Sequence, residues 1–285
     1  MQQYLDGDTL YANMMMLRTV DDRAILILEG WSDCSALDPH VAEGRCQTLP
    51  AHSRRAVERA IELVDLNQTP LVLGVVDRDW VGVLDPPHTS KNVVCTDLYD
   101  LDTTILLSGD VAPRVIAVFT DRSAVSAHVT ACACASPLAV ALRIAVVIGS
   151  LRLISLRDGL DLSTRQLPVE ATLAPSGDEI DYKKLATVVA SRSPRSSMTA
   201  ADIEDVLISQ LPLAEEASRL CSGHDMAAVL AWLMRQKWGG GAVGYKNVAA
   251  TIRAALSCET LKATSLYADV KAWAASNGTV VWSCV

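Results

Sequence analysis

The chain has few aromatic residues and no excess of positive charge. Aromatic side chains make up 5% of its 285 residues, with a single phenylalanine, and the formal net charge is −8 at pH 7. That charge excludes a protein that coats nucleic acid non-specifically, because such binding is driven by phosphate neutralisation. An enzyme that contacts nucleic acid through a local basic groove is still compatible with it. Half of the residues are hydrophobic, which is typical of a globular chain.

The chain also lacks the cysteine spacing of a metal cluster. None of its eight cysteines forms a CxxC pair, and most lie in apolar stretches. This pattern argues against a zinc cluster or a disulfide framework and predicts reduced thiols in the core. The N-terminal residues are acidic and lack the basic start and apolar core of a signal peptide. We therefore expect a cytoplasmic protein.

The most apolar stretch, residues 124–154, has the length of a membrane span but not its composition. A membrane helix needs about 20 predominantly apolar residues. Pro137 interrupts this stretch, and Arg143 near its middle would be costly in lipid. The sequence therefore favours a buried core helix, over residues 124–148, and no membrane contact.

Apolar runs alternate with helical patterns in the first third of the chain. The patterns predict strands at 24–28, 45–49, 71–76 and 92–96, and a helix at 52–66. Alternation of this kind implies parallel strands joined by right-handed crossovers. The first and third strands are apolar throughout, as expected when helices cover both faces of a sheet.

The rest of the chain is mostly helical in pattern. Helices are predicted at 182–190, 200–210, 225–235, 249–256 and 266–275, and residues 153–173 could hold one or two short strands. The predicted fold class is therefore α/β. A four-stranded parallel sheet flanked by helices occupies residues 1–122, and a mainly helical domain occupies residues 123–285.

Acidic residues stand where the predicted strands end: Glu29 after the first, Asp77 and Asp79 after the third, and Asp97, Asp100 and Asp102 after the fourth. In open parallel sheets, functional groups gather beyond the carboxyl ends of the strands. In an extended segment, residues two apart point the same way, so Asp77 and Asp79 can face one site. Glu29 joins them if the first and third strands are neighbours.

Such a cluster of carboxylates predicts a cation. Carboxylates at close range repel one another unless a positive charge neutralises them. Hard oxygen ligands suit Mg²⁺ or Mn²⁺, with water and substrate phosphate completing the coordination. A single acid after a strand is more often a solvated loop residue or a helix N-cap, and Asp33 taken alone fits that description.

The segments ILILEGWSD and LVLGVVDRD together resemble the Toprim domain of topoisomerases, primases and overcoming-lysogenisation-defect nucleases. The signature of that domain is a glutamate after the first strand and DxD after the third. The segments NVVCTDLYDLDTTILL, SGHDMAAVLAWLM and TSLYADVKAWAAS are similar to a family of Toprim proteins that often stand beside ABC-type ATPases in bacterial defence loci. The effector nucleases of PARIS-type anti-phage systems belong to that family. The resemblance covers most of the chain, with gaps at 109–123 and 173–198.

The resemblance implies roles for the acids. Glu29, Asp77 and Asp79 would be the metal-binding and catalytic residues, and Asp33, Asp100 and Asp102 would support them. The chain departs from the family at two positions. Trp31 stands where a lysine often follows Glu-Gly, so a phosphate contact is lost or comes from elsewhere. Asp102 stands where glutamate is common, which shortens its reach.

The resemblance also implies an activity and partners. The chain would be a Mg²⁺- or Mn²⁺-dependent nuclease that an ABC-type ATPase sensor holds inactive. Once released, it would dimerise and cleave RNA, with host tRNA as the substrate. A nuclease that nicks or cleaves DNA is the alternative enzyme. A non-catalytic module that only binds the ATPase is the alternative from a different class. The number of metals, and whether Glu29 is a general base or a bridging ligand, stay open.

Several basic residues could form a rim that binds nucleic acid: Arg54, Arg55 and Arg59, followed later by Lys183, Lys184, Arg192 and Arg195. The simpler interpretation of each group is a solvated helix face. His224 could act as a general acid from the second domain. The favoured interpretation is that Ser222 or Asp225 caps a helix and that His224 packs locally.

Overall fold

The computed structural model describes residues 6–210 and 217–284, which form two compact units. Unit 1 comprises Met1–Thr104 and Leu256–Val285, and unit 2 comprises Ile105–Ala255. The division between the units falls within one short helix, Leu101–Leu106.

The strands in chain order are β1 (Ala24–Leu28), β2 (Cys46–Pro50), β3 (Val72–Val76) and β4 (Val93–Cys95). The helices in chain order are α1 (Gly7–Leu17), α2 (Trp31–Leu37), α3 (Arg54–Leu66), α4 (Leu101–Leu106), α5 (Val111–Phe119), α6 (Arg122–Ala131), α7 (Pro137–Arg157), α8 (Tyr182–Arg192), α9 (Ala200–Gln210), α10 (Ala217–Leu220), α11 (Gly223–Gln236), α12 (Tyr245–Ala254), α13 (Cys258–Lys262) and α14 (Ser265–Ser276). Short 3₁₀ helices occupy Asp38–His40 and Val169–Thr172.

Unit 1 contains a four-stranded parallel sheet in the order β2-β1-β3-β4. The α/β prediction is thus confirmed, including the parallel pairing. β1 pairs directly with β3, with Ile25 opposite Val72 and Ile27 opposite Gly74. The chain runs outward from β1 to β2, returns to β3 and continues outward to β4. The topological switch point, where open α/β sheets bind ligands, therefore lies between β1 and β3.

One face of the sheet packs on α1 and α3. Ile25 and Ile27 of β1 lie in one buried cluster with Val57 and Ile61 of α3 and with Met14 of α1. These strand residues share a face because side chains alternate along a strand. The steps to β2 and back to β3 run in opposite directions across the sheet, so right-handed crossovers place α2 and α3 on opposite faces.

Gly74 allows α3 to pack closely on β3. A Cβ atom built at this position would lie 2.8 Å from Val57 Cγ1 and 3.0 Å from Ile61 Cγ1. Both neighbours are almost fully buried and have little room to move. The glycine inside an otherwise branched, apolar strand is thus a packing requirement of the α3–β3 contact.

The C-terminal residues return to unit 1, so the division differs from the sequence-based boundary at 122/123. The Asp97 carboxylate accepts hydrogen bonds from the amides of Ser265 and Leu266 at 2.6 and 3.0 Å, at the start of α14. Trp273 Nε1 donates to Asn92 Oδ1 at 3.0 Å. Sequence periodicity identified α14 as a helix but carried no signal for which unit it joins.

The expectation that all cysteines are reduced is wrong at one pair. Cys258, at the start of α13, forms a disulfide with Cys284 near the C-terminus. The remaining six are free. The spacing rule failed because the pair lacks a local motif and is brought together by the return of the C-terminal segment.

Unit 2 is built around α7 and α11. The single helix predicted over residues 124–148 is two helices, α6 and α7. The chain turns at Ala133, whose φ is +51°, and α7 restarts with Ser136 as its N-cap and Pro137 in its first turn. By length and composition alone α7 could span a membrane, but 67% of its most apolar stretch is buried, as in the core helix of a soluble protein.

The short strands considered for residues 153–173 do not form within that described stretch. α7 continues to Arg157, and a 3₁₀ turn follows at Val169–Thr172. Arg152 of α7 forms a buried ion pair with Asp225 of α11 at 2.6 Å. Arg143, the other basic residue of the apolar run, reaches the Asp178 carboxylate at 3.1 Å.

We expect Gly74→Ala to lower the free energy of unfolding by about 1–3 kcal/mol, the usual cost of overpacking a core. Without a clash, alanine would stabilise the strand slightly relative to glycine. A decrease in the free energy of unfolding therefore identifies the clash with Val57 and Ile61. Urea unfolding of the purified protein measures this change in free energy. Gly44→Ala is the matched control, because a Cβ there meets nothing within 4 Å. Equal stability of the two variants would contradict the packing argument.

Candidate active site at the ends of strands β1 and β3

Glu29 and Asp77 lie side by side at the switch point of the sheet. Each follows the last residue of its strand, and the two strands are neighbours. Glu29 Oε1 accepts a hydrogen bond from the Asp77 amide at 2.9 Å. The condition that the sequence left open, adjacency of the first and third strands, is therefore met.

Asp77 also contacts the beginning of α4. Its Oδ1 accepts a hydrogen bond from the Leu101 amide at 3.1 Å. In the same turn, Asp100 Oδ1 accepts from the Thr103 amide at 2.8 Å. Asp77 and Asp100 thus both bind the first turn of α4, and this shared turn brings the loop after β4 to the end of β3.

Asp79 does not continue the extended geometry that the sequence assumed for DxD. β3 ends at Val76, and Asp79 has a φ of +43°, a left-handed conformation that is uncommon for residues other than glycine. Its amide donates to the Tyr99 carbonyl at 2.8 Å. Its Oδ2 pairs with Arg54 Nη1 at 3.1 Å. The turn aims this carboxylate at α3, whereas Asp77 is bound to α4.

Arg54 lies beside the acids and forms an ion pair with Asp79. Besides Asp79 it binds Glu58 Oε1 through Nε at 2.8 Å, and its Nη2 lies 3.4 Å from His88 Nε2. The sequence suggested Arg54 as part of a basic rim that binds nucleic acid. In the structure, Arg54 lies beside the acids. His88 was not among the predicted residues, because it stands in the loop between β3 and β4 with no motif around it.

The loops that carry the acids are bonded to each other. The Arg78 amide donates to Thr96 Oγ1 at 3.0 Å, and Arg78 Nε donates to the Thr96 carbonyl at 2.9 Å. Thr96 Oγ1 in turn donates to the Leu98 carbonyl at 2.9 Å. Trp80 packs edge-on against Tyr99, with ring centroids 5.1 Å apart. These contacts fix the loop after β3 against the loop after β4, a support that the sequence motif does not reveal.

The surroundings raise the pKa of Glu29 to about 7. Burial is the main cause, and the carboxylates of Asp79 and Asp33 add to it. The hydrogen bond from the Asp77 amide and the charge of Arg54 act in the opposite direction. At neutral pH this carboxyl group therefore exchanges a proton readily, as a general base must.

The pKa of Asp77 is raised well above its ordinary value. Burial is again the largest cause, followed by the negative charges of Asp100, Glu29, Asp33 and Asp79. Four other acids therefore act on Asp77, and two of them, Asp79 and Asp33, also act on Glu29. Asp33, which taken alone would be an ordinary loop acid, belongs to this group. Burial and like charge disfavour the ionised form, and a bound cation would reverse both effects.

The donor set fits Mg²⁺ or Mn²⁺, although the acids do not form a closed cage. Among the described residues, the one group of three candidate ligand side chains whose ligand atoms all lie within 4.8 Å of one another is His40, Cys258 and Cys284. Mg²⁺ keeps several of its waters and needs only one or two carboxylates together with substrate phosphate. Glu29 and Asp77, which lie side by side and are partly buried, would hold such an ion, with Asp79 beside them.

Several of the predicted residues make contacts away from Glu29 and Asp77. The Asp97 carboxylate binds the first two amides of α14, at the far side of the loop from Asp100 in sequence. Asp102 lies in the first turn of α4. Arg55 is exposed on α3, and Arg59, also exposed, pairs with Asp8 and Glu62.

His224, Lys183 and Lys184 belong to unit 2. Ser222 caps α11 by accepting from the Asp225 amide, which confirms the simpler interpretation of this segment. The His224 ring packs on Tyr245 with centroids 5.0 Å apart. Lys184 Nζ donates to the Leu173 carbonyl at 2.9 Å, and Lys183 lies in the first turn of α8. These contacts are local to unit 2.

We expect the metal-free protein to lose stability as the pH rises from about 4.5 to about 7. In this range folded Glu29 keeps a proton that the unfolded chain releases, so the folded state binds more protons and unfolding becomes easier with rising pH. The loss attributable to Glu29 is at most about 3 kcal/mol, because one pKa unit corresponds to about 1.4 kcal/mol.

Urea unfolding in EDTA at pH values below and above this range measures the effect. Glu29→Gln should flatten the pH dependence, and Glu43→Gln, at an exposed loop position, should not. Millimolar Mg²⁺ at the higher pH should restore stability to the wild type more than to Glu29→Gln, because binding to the folded state is stabilising. Parallel pH dependences of wild type and Glu29→Gln would mean that Glu29 titrates as an ordinary surface acid.

No protein-family model matches the chain, and no curated protein matches it. The resemblance to Toprim proteins therefore stays a prediction that rests on the motifs.

Proposed function

We propose that unit 1 is a Mg²⁺-dependent nuclease of the Toprim type, with Glu29, Asp77 and Asp79 as its catalytic and metal-binding residues. The observation that carries this proposal is the pairing of Glu29 with Asp77 at the switch point, within one field of five carboxylates. A purely structural module gains nothing from this arrangement, because buried like charges cost stability. The topology and the order of the acids agree with the motif pattern.

Each residue has a task in such a reaction. Glu29, Asp77 and Asp79 would hold a Mg²⁺ ion, which would supply Lewis-acid stabilisation of the charge that develops on the phosphodiester. Glu29, with a pKa near 7, can accept the proton of the attacking water or serve as a ligand. Asp77 is held in place by the Leu101 amide. Arg54 holds Asp79 and offers a positive charge beside the scissile phosphate.

The position and exposure of Trp31 favour nucleic acid as the class of substrate. It follows Glu29 and Gly30 directly, begins α2 and is 60% exposed, although exposed tryptophan side chains are costly. Its ring lies edge-on to His52 with centroids 6.4 Å apart. An exposed aromatic ring next to a phosphate-cleaving site can stack on a base, which requires no positive charge. Stacking would therefore replace the phosphate contact that a lysine at this position supplies.

The finer proposal rests on the resemblance. The chain would be the toxic effector of a cytoplasmic anti-phage system, held inactive by an ABC-type ATPase sensor. On release it would act as a homodimer and cleave host tRNA, which stops translation. Cleavage of DNA is the second candidate activity, and the same five acids serve it equally well. The binding-module alternative requires that substitution of the acids leaves toxicity unchanged.

We expect Glu29→Gln and Asp77→Asn to lower phosphodiester cleavage at least about 100-fold, the usual scale for loss of acid–base catalysis. The purified protein is incubated with total RNA and with supercoiled plasmid, in Mg²⁺, in Mn²⁺ and in EDTA. Sequencing of RNA and DNA ends from cells that express each variant gives the cellular counterpart. Glu43→Gln is the matched control.

The outcomes separate the candidates. Metal-dependent tRNA breaks that vanish in both variants support the tRNA nuclease. DNA breaks with the same dependence would favour the second candidate. Toxicity and end profiles that are the same in wild type and Glu29→Gln would reject catalysis and favour a binding module.

We expect Trp31→Ala to raise the KM for the nucleic-acid substrate about tenfold or more, because stacking on one base is worth about 1–3 kcal/mol. kcat should change little, since Trp31 does not touch the acids' hydrogen bonds. Trp31→Phe keeps an aromatic face and should retain most of the affinity. If Trp31→Ala and Trp31→Phe weaken binding equally, stacking is not the role of this residue.

A further inference from the structure

Three side chains from separate parts of unit 1 meet near the C-terminus. His40 ends the 3₁₀ turn after α2, Cys258 begins α13, and Cys284 is near the end of the chain. His40 Nδ1 lies 3.7 Å from Cys258 Sγ and 3.6 Å from Cys284 Sγ. The imidazole thus faces both sulfur atoms of the disulfide.

The backbone around this cluster is well fixed. The Ser283 amide donates to the His40 carbonyl at 2.8 Å, and the Tyr267 hydroxyl donates to the Cys284 carbonyl at 3.1 Å. His40 and Cys284 are buried, and Cys258 is partly exposed. An ion can therefore reach a cluster whose ligands already point at one another.

The ligand set is the one that Zn²⁺ prefers. Two cysteine sulfurs and one imidazole nitrogen, with a fourth position for water, form a common tetrahedral zinc site. Only thiolates bind the metal, so the disulfide and the metal site are alternative states of the same two cysteines. The His40 ring is held in place by its surroundings, because it is buried and the His40 carbonyl accepts from the Ser283 amide.

We propose that reduction of the Cys258–Cys284 disulfide converts this cluster into a Zn²⁺ site, with Cys258 Sγ, Cys284 Sγ and His40 Nδ1 as ligands. The site is separate from the acids at the strand ends and does not depend on the proposed nuclease activity. It would hold the start of α13 and Cys284 to the turn after α2 under reducing conditions, whereas the disulfide joins only Cys258 to Cys284.

The conversion balances with ordinary thiol chemistry. Two molecules of a small thiol donate two electrons and two protons, the sulfur–sulfur bond breaks, and one small-molecule disulfide forms. Zn²⁺ then displaces the two thiol protons. A peroxide reverses the change: the thiolates give up two electrons to form the disulfide, the peroxide takes up two protons to become water, and Zn²⁺ is released.

The test is metal titration of the full chain in both redox states. The protein is reduced, freed of reductant without oxygen and titrated with Co²⁺, and then with Zn²⁺ against a chromophoric chelator. We expect the reduced protein to bind one ion per chain more than the oxidised protein, with the thiolate-to-cobalt charge-transfer band and the visible bands of tetrahedral Co²⁺. The oxidised protein should show neither the charge-transfer band nor the visible bands of tetrahedral Co²⁺. Zn²⁺ should also raise the unfolding temperature of the reduced protein only.

Variants identify the ligands. Cys284→Ser and Cys258→Ser should abolish the charge-transfer band, and His40→Gln should weaken Zn²⁺ binding at least tenfold. Cys46→Ser, at a buried free cysteine of β2, is the control and should bind as the wild type does. Glu29→Gln should also bind normally, which separates this site from the proposed magnesium site. Circular dichroism shows whether each variant is folded.

Uptake of no metal by the folded, reduced protein would overturn the proposal. Equal uptake by the oxidised protein, or by Cys284→Ser, would overturn it as well, because the ion would then lie elsewhere. Unchanged affinity in His40→Gln would reject the imidazole as a ligand.

Discussion

The hydrogen bond from the Asp77 amide to the Glu29 carboxylate depends on the pairing of β1 with β3, and the rest of the candidate site depends on it. The pairing places the two strand ends at one edge, and α3 fixes it by packing on β3 at Gly74. The bond holds Glu29 beside an acid that repels it. A sheet with β2 or β4 between these strands would separate the same motif residues and leave two ordinary acids.

The arrangement costs the folded protein stability. Burial and the surrounding negative charges raise the pKa values of Glu29 and Asp77, so each carboxyl group is easier to ionise in the unfolded chain. Arg54 offsets part of this cost, but it is shared with Asp79 and Glu58. A fold that keeps buried carboxylates at close range against their mutual repulsion is arranged for a cation or for a proton.

The sequence predicted the sheet well because its strands are continuously apolar and its crossovers are regular. It also predicted the Glu29–Asp77 site, since residues at the carboxyl ends of neighbouring parallel strands must converge. It could not predict the left-handed turn at Asp79, which depends on the Tyr99 carbonyl and on Arg54. Nor could it predict which acids after β4 serve the site. Asp97 and Asp100 are three residues apart in one loop, yet one caps α14 and the other acts on Asp77.

The return of the C-terminal segment shows why local patterns failed for the cysteines. Asp97 holds the start of α14, and the chain beyond that helix leads back to His40 through Ser283 and Cys284. Residues 256–285 therefore join the loop that carries Asp100 to the turn that follows α2. His40 lies beside the two sulfur atoms of the disulfide, and it is more than 200 residues from either cysteine in the sequence. No rule of local cysteine spacing covers such a separation. Because the same segment binds the Asp97 loop and carries both cysteines of the disulfide, it belongs to unit 1 and not to a separate domain.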